Sequence, residues 1–406
     1  MSAEIEARFA AAHPLLRTIA TTGTNGKTTT TSMIASIVEA SGEPWARLTT
    51  LGATVHGEPI DERSPMREFL ATVERSVQLG VRTLALEVTS KALLDGFARQ
   101  WPPSIAVFTN LTRDHLDLHK TPEAYLAAKA QLFMALGATG VAVLNDDDPS
   151  SALLREVIAP SVTVLGYSVD PARTDARLAA RRIAVTPGKT LIDLADSPLA
   201  ARLAGRLALS VTGAVHAQNA LAAALATDAA GYSAEAIARG LESFTGVAGR
   251  FEIVHRAPLV VVDYAHTPDG LSRTLETARA LCERRLLCVF GCGGDRDLGK
   301  RGEMGSIADA LADVVVLTSD NPRSEEPARI AAMVREGAPS PRAQWLLELD
   351  RAAAIERAIS LAHDPRDVVV IAGKGHERTQ EIAGVVRPFS DVAVARAAIA
   401  QRSTSA

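Results

Sequence analysis

The stretch TGTNGKTTT at residues 22–30 places a lysine and three threonines after two glycines. In a loop between a strand and a helix, glycines let backbone N–H groups point at phosphate oxygens, and the helix N-terminus adds partial positive charge. Lys27 would then reach the β- and γ-phosphates of a nucleotide, and the Thr28 hydroxyl would hold Mg²⁺. The strict Walker A spacing fails, because Thr21 stands where its first glycine should be, and a glycine-rich turn with a chance lysine is the alternative. The expected nucleotide-binding residues are Gly23, Thr24, Asn25, Gly26, Lys27, Thr28 and Thr29.

Three further polar side chains lie beside apolar runs. Glu87 ends the run LALE, His115 lies in FTNLTRDHLDLH, and Lys129 lies in the helical pattern YLAAKAQLF. Parallel α/β sheets place ligand sites at the carboxyl ends of their strands. We therefore expect Glu87 and His115 beside the nucleotide, where they would hold a second Mg²⁺ or a water bound to it. The alternatives are a core histidine for His115 and a solvated helix face for Lys129, although Lys129 lies between apolar positions.

Short apolar runs predict the strands that position these side chains. Several runs are apolar throughout, as in parallel strands buried on both faces. Ala-rich helical patterns lie between them, so the sequence predicts an α/β fold in which helices cover parallel sheets. The runs are LRTIATT, RTLALEV, SIAVFTN, GVAVLN, LVVVDY, RLLCVFG, DVVVLTS and DVVVIAG.

Residues 165–245 separate the two sets of strands. Their first part predicts a hairpin or a small mixed excursion, and the stretch AQNALAAALATDAAGYSAEAIARGLESF predicts two helices. The chain of 406 residues exceeds the roughly 250–300 residues at which single cores stop growing. We therefore expect two domains, at 1–247 and 248–406, with a hinge in the glycine-rich stretch TGVAGR.

Charge and composition argue against several classes of protein. A net charge of −4 and an aromatic content of 4% do not suggest a nucleic-acid or membrane-surface binder. The three cysteines do not form the pattern of a disulfide framework or a zinc site. The N-terminal residues lack a signal-peptide pattern, and no run of about 18 apolar residues suggests a membrane span. We expect a cytoplasmic enzyme that acts on small molecules, without nucleic-acid or membrane partners.

A series of separated motifs runs from about residue 18 to about residue 396. The motifs are TTGTNGKTTT, LEVTSKAL, FTNLTRDHLDLH, YLAAKAQLF, HAQNALAA, GRFE, VVVDYAHTPDGL, GCGGDRDLGKR, DNPRSEEP, AGKGHE and FSDVAVAR. In these motifs and their order, the chain resembles the Mur ligase superfamily. It is most similar to the MurE type, which ligates UDP-N-acetylmuramoyl-L-alanyl-D-glutamate to 2,6-diaminopimelate.

The resemblance implies an ATP-dependent ligase with a central P-loop ATPase domain, which holds a parallel sheet, and a C-terminal Rossmann-like α/β domain. It also implies ATP and Mg²⁺. The γ-phosphate would convert an unreactive carboxylate into an acyl phosphate, and an amine would then attack and expel phosphate. Lys27 and Thr28 correspond to γ-phosphate and metal residues of the family, and Glu87 and His115 correspond to residues of its metal site.

Four more residues have counterparts near the nucleotide. Lys129 corresponds to a lysine that is carbamylated in this family. Carbamylation turns a cation into a carboxylate-like anion that helps to hold Mg²⁺, which would explain a lysine in this helical stripe. Asn219 corresponds to an asparagine on the adenine side, and Arg250 and Asp263 correspond to residues that reach the phosphates and the ribose.

The motifs DNPR and GKGHE carry the information about the amino acid. In members that use meso-diaminopimelate, residues of these motifs grip that substrate. An arginine fork suits bidentate binding of a carboxylate, and an acidic side chain suits an ammonium, so the site would take a zwitterionic amino acid. A plain turn with a surface arginine is the alternative for DNPR. The corresponding residues are Asp320, Asn321, Arg323, Gly373 and Glu377, with Arg296 as a further carboxylate clamp.

The sequence departs from the family pattern in three places. Full-length members carry an N-terminal domain of roughly a hundred residues that holds the UDP end of the substrate, whereas here the phosphate-loop strand begins at about residue 17. Lys91 stands where members have a histidine, and RSPMREFL replaces the usual Thr-Thr-Pro segment. The positive charge of Arg63 and Arg67, which flank Ser64, suggests a smaller anionic acid as the acyl substrate.

Three functions remain open at this point. The first is an amide ligase that joins an amino acid to a carboxylic acid that is not a peptidoglycan precursor. The second is a ligase that acts on muramoyl peptides in peptidoglycan synthesis or recycling, with or without a partner chain that holds UDP. The third is a non-catalytic nucleotide-binding subunit, against which the presence of Lys27, Thr28, Glu87, His115 and Lys129 argues. Folylpolyglutamate synthases share the core, but DNPR and GKGHE favour the MurE type.

Overall fold

The structure, a computed structural model, describes residues 3–173 and 175–405. Within these residues the chain forms two compact units. The first unit extends to Thr112 and continues from His119 to Thr245, and the second comprises Arg113–Leu118 and the chain from Gly246 onward. Each unit contains a largely parallel sheet with helices, so the predicted α/β class is confirmed. The domain limits expected from the sequence, 1–247 and 248–406, stay a prediction.

A large sheet forms the centre of the first unit. Its strands are β1 (Arg17–Thr22), β2 (Trp45–Thr49), β3 (Gly52–Val55), β4 (Glu58–Ile60), β5 (Thr83–Glu87), β6 (Ile105–Phe108), β7 (Val141–Asn145), β8 (Thr163–Ser168), β9 (Leu178–Thr186), β10 (Lys189–Leu194) and β11 (Arg206–Leu209). Their order across the sheet is β11-β10-β9-β8-β7-β6-β1-β5-β2-β3-β4. The strands from β9 to β2 in this order are parallel, and the antiparallel pairs β3–β4 and β10–β11 lie at the edges.

Helices of the first unit begin at residues that satisfy their free N–H groups. The hydroxyls of Ser64, Thr121, Ser197 and Ser233 each accept from the backbone N–H three residues on. The helices are α1 (Ala3–Ala12), α2 (Lys27–Ala40), α3 (Pro65–Gln78), α4 (Ser90–Leu94), α5 (Phe97–Gln100), α6 (Leu116–His119, which begins in the second unit), α7 (Pro122–Met134), α8 (Ser150–Val157), α9 (Pro198–Arg202), α10 (Ala214–Ala229) and α11 (Ala234–Ser243), with a 3₁₀ turn at His13–Leu15.

The second unit has a smaller sheet that is also mainly parallel. Its strands are β12 (Glu252–Arg256), β13 (Leu259–Asp263), β14 (Leu286–Phe290), β15 (Val314–Leu317), β16 (Gln344–Leu347) and β17 (Val368–Ala372), in the order β12-β13-β17-β14-β15-β16. Only β12 pairs antiparallel within this sheet. A separate hairpin consists of β18 (Thr379–Ile382) and β19 (Val385–Pro388).

Helices cover both faces of the second sheet. They are α12 (Pro268–Ala280), α13 (Lys300–Leu311), α14 (Pro327–Arg335), α15 (Arg351–Leu361) and α16 (Asp391–Ser405). Successive residues of a strand point to opposite faces. Val261 accordingly packs in the cluster with α12, α13 and α14, whereas Val260 and Val262 pack in the cluster with α15 and α16. Burial on both faces explains why these strands are apolar throughout.

The runs predicted as strands are observed as β1, β5, β6, β7, β13, β14, β15 and β17. The predicted excursion is the antiparallel ribbon β9–β10–β11, and the two helices predicted after it are α10 and α11. Across the described residues, no helix combines the length and the apolar character that crossing a membrane requires.

Candidate nucleotide and amino-acid sites

The loop from Gly23 to Gly26 lies against the chain that follows β6. The Thr24 N–H donates to the Asn110 carbonyl at 2.9 Å, and the Asn25 N–H donates to Asn110 Oδ1 at 2.8 Å. Gly23 has a φ of 152°, and a Cβ at this position would overlap Thr109 Oγ1. Only glycine therefore allows the loop to approach β6 so closely. The end of β1, from which the loop starts, and the chain after β6, to which it is bonded, hold the loop in a defined shape.

Lys27 and Thr28 lie in the first turn of α2. The Lys27 ammonium donates to the Thr24 carbonyl at 2.8 Å, so the side chain folds back over the loop. The Thr28 hydroxyl donates to Glu87 Oε2 at 2.8 Å, because Glu87 ends β5 beside β1. The Thr50 N–H donates to the same carboxylate oxygen at 3.2 Å. The structure thus brings Thr28 and Glu87 into contact beside the loop.

The oxygens of Thr28 and Glu87 fit a magnesium ion chemically. Both side chains are buried, and hydroxyl and carboxylate oxygens are the hard ligands that Mg²⁺ accepts. In the part of the chain that the structure describes, no group of three or more His, Cys, Asp or Glu residues is arranged to hold a metal. Mg²⁺ is usually held by one or two carboxylates together with substrate phosphates. This pair therefore suits an ion that binds with a nucleotide.

Lys129 is buried, at 1% exposure, on α7. Its ammonium donates to the Gly23 carbonyl at 2.7 Å and lies 4.2 Å from the centre of the Tyr125 ring. The alternative of a solvated helix face is therefore wrong. The side chain instead contacts the backbone of the loop from Gly23 to Gly26.

Asn219 lies on α10, also beside the loop. Its Oδ1 accepts from the Thr30 hydroxyl at 3.2 Å, and a Cβ at Gly26 would overlap it. Gly26 itself has a φ of 83°, in the left-handed region. Asn219 thus contacts the first turns of α2, and its expected role on the adenine side stays a prediction.

His115 and Lys91 are both exposed. His115 lies in the second unit, and its Nε2 is 3.3 Å from Asp114 Oδ2. With 48% of its side chain exposed, it is not a core histidine. Lys91 forms an ion pair with Asp95 at 3.0 Å on the surface of α4. The expected metal-binding role of His115 stays a prediction.

Asp263 and Arg250 lie at the start of the second unit. The Asp263 carboxylate accepts from the backbone N–H groups of Phe251 and Ala265, at 2.5 and 2.8 Å, and from the Thr274 hydroxyl at 3.1 Å. Burial raises the pKa of Asp263, although the Arg250 charge and these hydrogen bonds oppose that shift. The Arg250 guanidinium stacks 4.3 Å from the centre of the Tyr264 ring. In the structure Asp263 joins the backbone before β12 to the backbone after β13, and contacts with ribose or phosphates stay a prediction.

A pocket of about 170 Å³ opens in the second unit. It lies where the carboxyl ends of the neighbouring strands β15, β14 and β17 meet, which is where parallel sheets bind ligands. Every residue expected to bind the amino acid lines this pocket, namely Arg296, Asp320, Asn321, Arg323, Gly373 and Glu377. Arg296 and Glu377, 81 positions apart in the sequence, thus share one small cavity.

The DNPR segment is held in place by neighbouring backbone. Arg323 has a φ of 51° and donates from Nη1 to the Gly294 carbonyl at 2.6 Å. Its backbone pairs with β18, since its N–H donates to the Glu381 carbonyl at 3.2 Å. Gly373 has a φ of 116°, and a Cβ there would press on Asp320. The alternative of a plain surface turn is therefore wrong, because Asp320 and Asn321 are buried and the segment shapes a cavity.

The two acidic side chains of the pocket have different electrostatics. Burial raises the pKa of Asp320, although the charges of Arg351 and Lys374 oppose this. Burial would also raise the pKa of Glu377, but the hydrogen bond and charge of Lys374 outweigh it and lower that pKa. Glu377 is therefore an anion at neutral pH. With the guanidinium of Arg323 nearby, the pocket offers both signs of charge to a zwitterion.

Several residues of these sites were missed by the sequence reasoning. Asn110 shapes the phosphate loop, and it lies in the quoted motif FTNLT directly after a strand. Tyr264, His266 and Lys300 also line the pocket of the second unit. Lys374 contacts Glu377 and Asn321, and its only signal was its position between the glycines of GKGHE.

Comparisons with known proteins match both units. The Mur ligase middle domain model matches residues 21–227, and the model of the Mur ligase glutamate ligase domain matches residues 249–375. The UDP-N-acetylmuramoyl-L-alanyl-D-glutamate–2,6-diaminopimelate ligase of Xanthomonas campestris pv. campestris is 40% identical over 399 residues, which cover 96% of this chain and 78% of that protein. The ligase of the same name from Geobacillus kaustophilus is 40% identical over 398 residues, covering 95% and 79%.

A solved structure is also similar to this chain. It is that of a UDP-N-acetylmuramoyl-L-alanyl-D-glutamate–2,6-diaminopimelate ligase, and the similarity has a TM-score of 0.65 and 34% identity. The similarity covers 96% of this chain and 79% of that one.

Proposed function

Because the chain belongs to the Mur ligase family of ATP-dependent, ADP-forming amide ligases, we propose that it joins diaminopimelate to UDP-N-acetylmuramoyl-L-alanyl-D-glutamate. The observation that carries this proposal is the pocket of the second unit, in which Arg323, Asp320 and Glu377 meet. Its charges suit an amino acid with an ammonium and a carboxylate on one carbon. Each end of 2,6-diaminopimelate has this form, so the pocket would hold one end and leave the other amine to react.

The chemistry begins with a carboxylate of the glutamyl residue. Attack of its oxygen on the γ-phosphorus of ATP forms an acyl phosphate and releases ADP. The free amine of diaminopimelate then attacks the acyl carbon and loses a proton. The resulting tetrahedral intermediate expels phosphate. In this scheme the loop N–H groups and Lys27 would bind the phosphates and neutralise charge that builds up as the phosphoryl group moves.

Thr28 and Glu87 would hold Mg²⁺, which supplies neutralising charge to the nucleotide phosphates when bound. The 2.8 Å contact between their oxygens already orients both side chains toward one point. Lys27 would approach the phosphates from the loop, where its ammonium now contacts the Thr24 carbonyl at 2.8 Å. We place the reaction in the cytoplasm, where ATP is available; the free cysteines Cys282, Cys288 and Cys292 are consistent with that.

Purified protein with Mg²⁺-ATP tests the proposal directly. Phosphate release and product mass are measured with UDP-N-acetylmuramoyl-L-alanyl-D-glutamate and either diaminopimelate or L-lysine. Lysine lacks the second carboxylate, so Arg323 and Arg296 would lose their partner. We expect kcat/KM for diaminopimelate to exceed that for lysine by about 10³-fold or more. Equal rates with both amino acids, or no turnover with diaminopimelate, would contradict the proposal.

A smaller acid is the second candidate for the acyl substrate. Arg63 and Arg67 are exposed on either side of Ser64, whose hydroxyl caps α3 by accepting from the Arg67 N–H. Two free guanidinium groups at a helix start are suited to an anion. The same assay with L-alanyl-D-glutamate, and with the muramoyl dipeptide that lacks UDP, separates the candidates. A kcat/KM with either that equals or exceeds the value for the UDP-linked substrate would favour the smaller acid.

We also propose that Lys129 is carbamylated in the active enzyme. The neutral amine would add to CO₂ and lose a proton, which gives a carbamate anion with one remaining N–H. That N–H could keep the bond to the Gly23 carbonyl, now 2.7 Å long, while the new oxygens extend toward the loop. The burial of Lys129 and the proximity of its amine to the phosphate loop support this proposal.

Lys129→Ala tests the carbamate. The variant should lose most of its activity, because a negative group beside the nucleotide site is missing. Short-chain carboxylates such as acetate or propionate should restore part of it, since they fit the space of the lost side chain. Lys91→Ala, which changes a surface lysine of the same unit, should show no response to carboxylates. Absence of any rescue in Lys129→Ala would count against carbamylation.

A further inference from the structure

Lys374 is a fully buried lysine directly behind the pocket of the second unit. It lies between Gly373 and Gly375, which have φ values of 116° and 52°. Both values belong to a backbone conformation that glycine tolerates best. The resulting turn directs the Lys374 side chain into the protein, whereas Gly373 and Glu377 line the cavity.

The ammonium of Lys374 contacts two of the residues expected to bind the amino acid. It donates to Glu377 Oε2 at 2.7 Å and to Asn321 Oδ1 at 2.9 Å. Asn321 Oδ1 also accepts from the Glu381 N–H at 3.0 Å. Two donors therefore fix the orientation of the Asn321 amide, and its Nδ2 donates to Glu377 Oε2 at 2.8 Å.

A buried ammonium is costly unless it is paired and hydrogen-bonded. Lys374 meets this requirement only with the carboxylate and the amide in their present positions. The same contacts restrict the rotamers of Glu377 and Asn321, because any rotation would leave a buried charge unpaired. One residue that does not line the pocket thus constrains two that do.

We propose that Lys374 is a positioning residue that holds the Glu377 carboxylate and the Asn321 amide in place to receive the substrate ammonium. This inference rests on the proposed function, since it assumes that the pocket binds diaminopimelate. Lys374 does not touch the substrate. It acts through Glu377 and Asn321, as supporting residues around other binding sites do.

The charges around Glu377 set the expected pH dependence. Lys374 and His376 lie on the same loop as Glu377. The other titratable groups that interact with it are Asp320 after β15, Tyr264 after β13 and Arg351 on α15. Loss of Lys374 removes the nearest cation, so the pKa of Glu377 should rise. The acidic limb of the pH profile for diaminopimelate binding should then move to higher pH. A residue with only a structural role would not move this limb.

The test measures diaminopimelate binding by calorimetry and steady-state KM values for wild type and Lys374→Met. We expect Kd and KM for diaminopimelate to rise about 10- to 100-fold in the variant. The KM for ATP should change by less than about threefold, and the acidic limb should shift upward. Lys374→Arg keeps the charge and should recover part of the affinity and the original limb.

A double-mutant cycle with Glu377→Gln separates positioning from an independent role. If Lys374 acts through Glu377, Lys374→Met should have little further effect once Glu377→Gln is present. Multiplicative effects of the two changes would overturn the proposal. Asp309→Asn serves as the control for general destabilisation. Asp309 is a buried carboxylate outside the pocket, bonded to Trp345 Nε1 at 2.8 Å, so its loss should lower Tm without moving the acidic limb.

The outcomes distinguish this inference from the proposed function. If wild type does not bind diaminopimelate, the proposed function fails. If wild type binds it and Lys374→Met binds it equally well, only the positioning role fails. Should Lys374→Met not fold, Lys374→Gln keeps a donor without the charge and should shift the limb in the same direction.

Discussion

Lys27 shows how a single side chain gains a function from its loop. Its ammonium bonds to the Thr24 carbonyl at 2.8 Å, so it lies against the loop from Gly23 to Gly26. The side chain is only half-buried. We therefore expect Lys27 to act in binding phosphate more than in holding the fold.

Lys27→Ala should abolish measurable turnover, with a loss of about 10³-fold or more in kcat. The free energy of unfolding should change by about 1 kcal/mol, the usual contribution of a hydrogen bond such as that to the Thr24 carbonyl. Phosphate-release assays and thermal unfolding check the two parts. Lys91→Ala, a surface change in the same unit, is the matched control and should keep full activity. Turnover near the wild-type rate would mean that the loop does not act on a nucleotide.

We expect Arg323 to bind a carboxylate of the amino acid in the pocket of the second unit. Its guanidinium is about a quarter exposed, at 26%, and one Nη is already bonded to the Gly294 carbonyl. Its Nε lies 3.8 Å from Glu381 Oε2, and its second Nη can meet a carboxylate in the cavity. A charge-assisted pair of this kind is worth more than a neutral hydrogen bond.

Arg323→Ala should raise the KM for diaminopimelate about 100-fold and the KM for ATP less than about threefold. Arg323→Lys keeps the charge but loses the fork, so its effect should be intermediate. Steady-state kinetics with each substrate varied in turn makes the comparison. Equal increases in both KM values would mean that the amine site lies elsewhere.

Among the elements, the helix α13 and the loop before α14 are joined by an ion pair between a buried arginine and a half-buried glutamate. Arg301 on α13 is fully buried and donates from both Nη atoms to Glu325, at 2.7 and 2.9 Å. Arg301 also donates to the Gly293 carbonyl at 3.2 Å. Because Glu325 follows DNPR and Gly293 lines the pocket, this pair holds two walls of the amino-acid site.

Glu325→Gln should destabilise the protein by about 3 kcal/mol, because it leaves the buried Arg301 charge without its counter-ion. The adjacent and exposed Glu326 provides the matched control, and Glu326→Gln should change stability by about 0.5 kcal/mol or less. Urea unfolding of both variants gives the values. A loss in Glu325→Gln as small as in the control would show that the pair contributes little.

At the level of the whole chain, both units use the same physical arrangement. Each has a parallel sheet with polar or glycine residues at the carboxyl ends of its strands: Glu87 at the end of β5 in one unit, and Asp320 and Gly373 after β15 and β17 in the other. Strands buried on both faces supply rigid supports, and the loops at their carboxyl ends carry the polar groups. Binding chemistry is thus separated from the apolar cores that hold each unit together.

Acid should weaken the protein partly through His216, a buried residue of α10. Burial lowers the pKa of His216 from 6.5 to about 4. The unfolded chain therefore binds a proton at higher pH than the folded chain does. This contribution to stability is present above pH 6.5 and is lost as the pH falls toward 4.

Urea unfolding across this range should show a fall in stability that His216→Gln reduces. With about 1.4 kcal/mol for each unit of pKa displacement, the difference should reach a few kcal/mol. His363→Gln changes an exposed histidine and should leave the pH dependence as in wild type. The same pH dependence in wild type and His216→Gln would show that another group is responsible.

Local patterns in the sequence were enough to identify the strands, the glycine-rich loop between β1 and α2, and the α/β class. Apolar runs such as LALE and VVVI report burial on both faces of a sheet, and glycines beside a lysine report a loop that approaches phosphate. These properties depend on neighbours within a few residues. The motifs also contain residues that line the pocket of the second unit, but they do not show how these residues contact one another.

Those contacts could not be read from the chain, because they depend on strand order and burial. Asn321 and Lys374 are 53 positions apart in the sequence. They follow β15 and β17, which the strand order places close together, one on each side of β14. The helical pattern around Lys129 likewise fits either a surface or a core residue. Packing buries it and places its ammonium against the Gly23 carbonyl. The hydrogen bonds from the backbone of Phe251 and Ala265 to Asp263 likewise join segments before β12 and after β13, and its contact with a ligand stays a prediction. Long-range packing and desolvation, which no local spacing encodes, assign these partners.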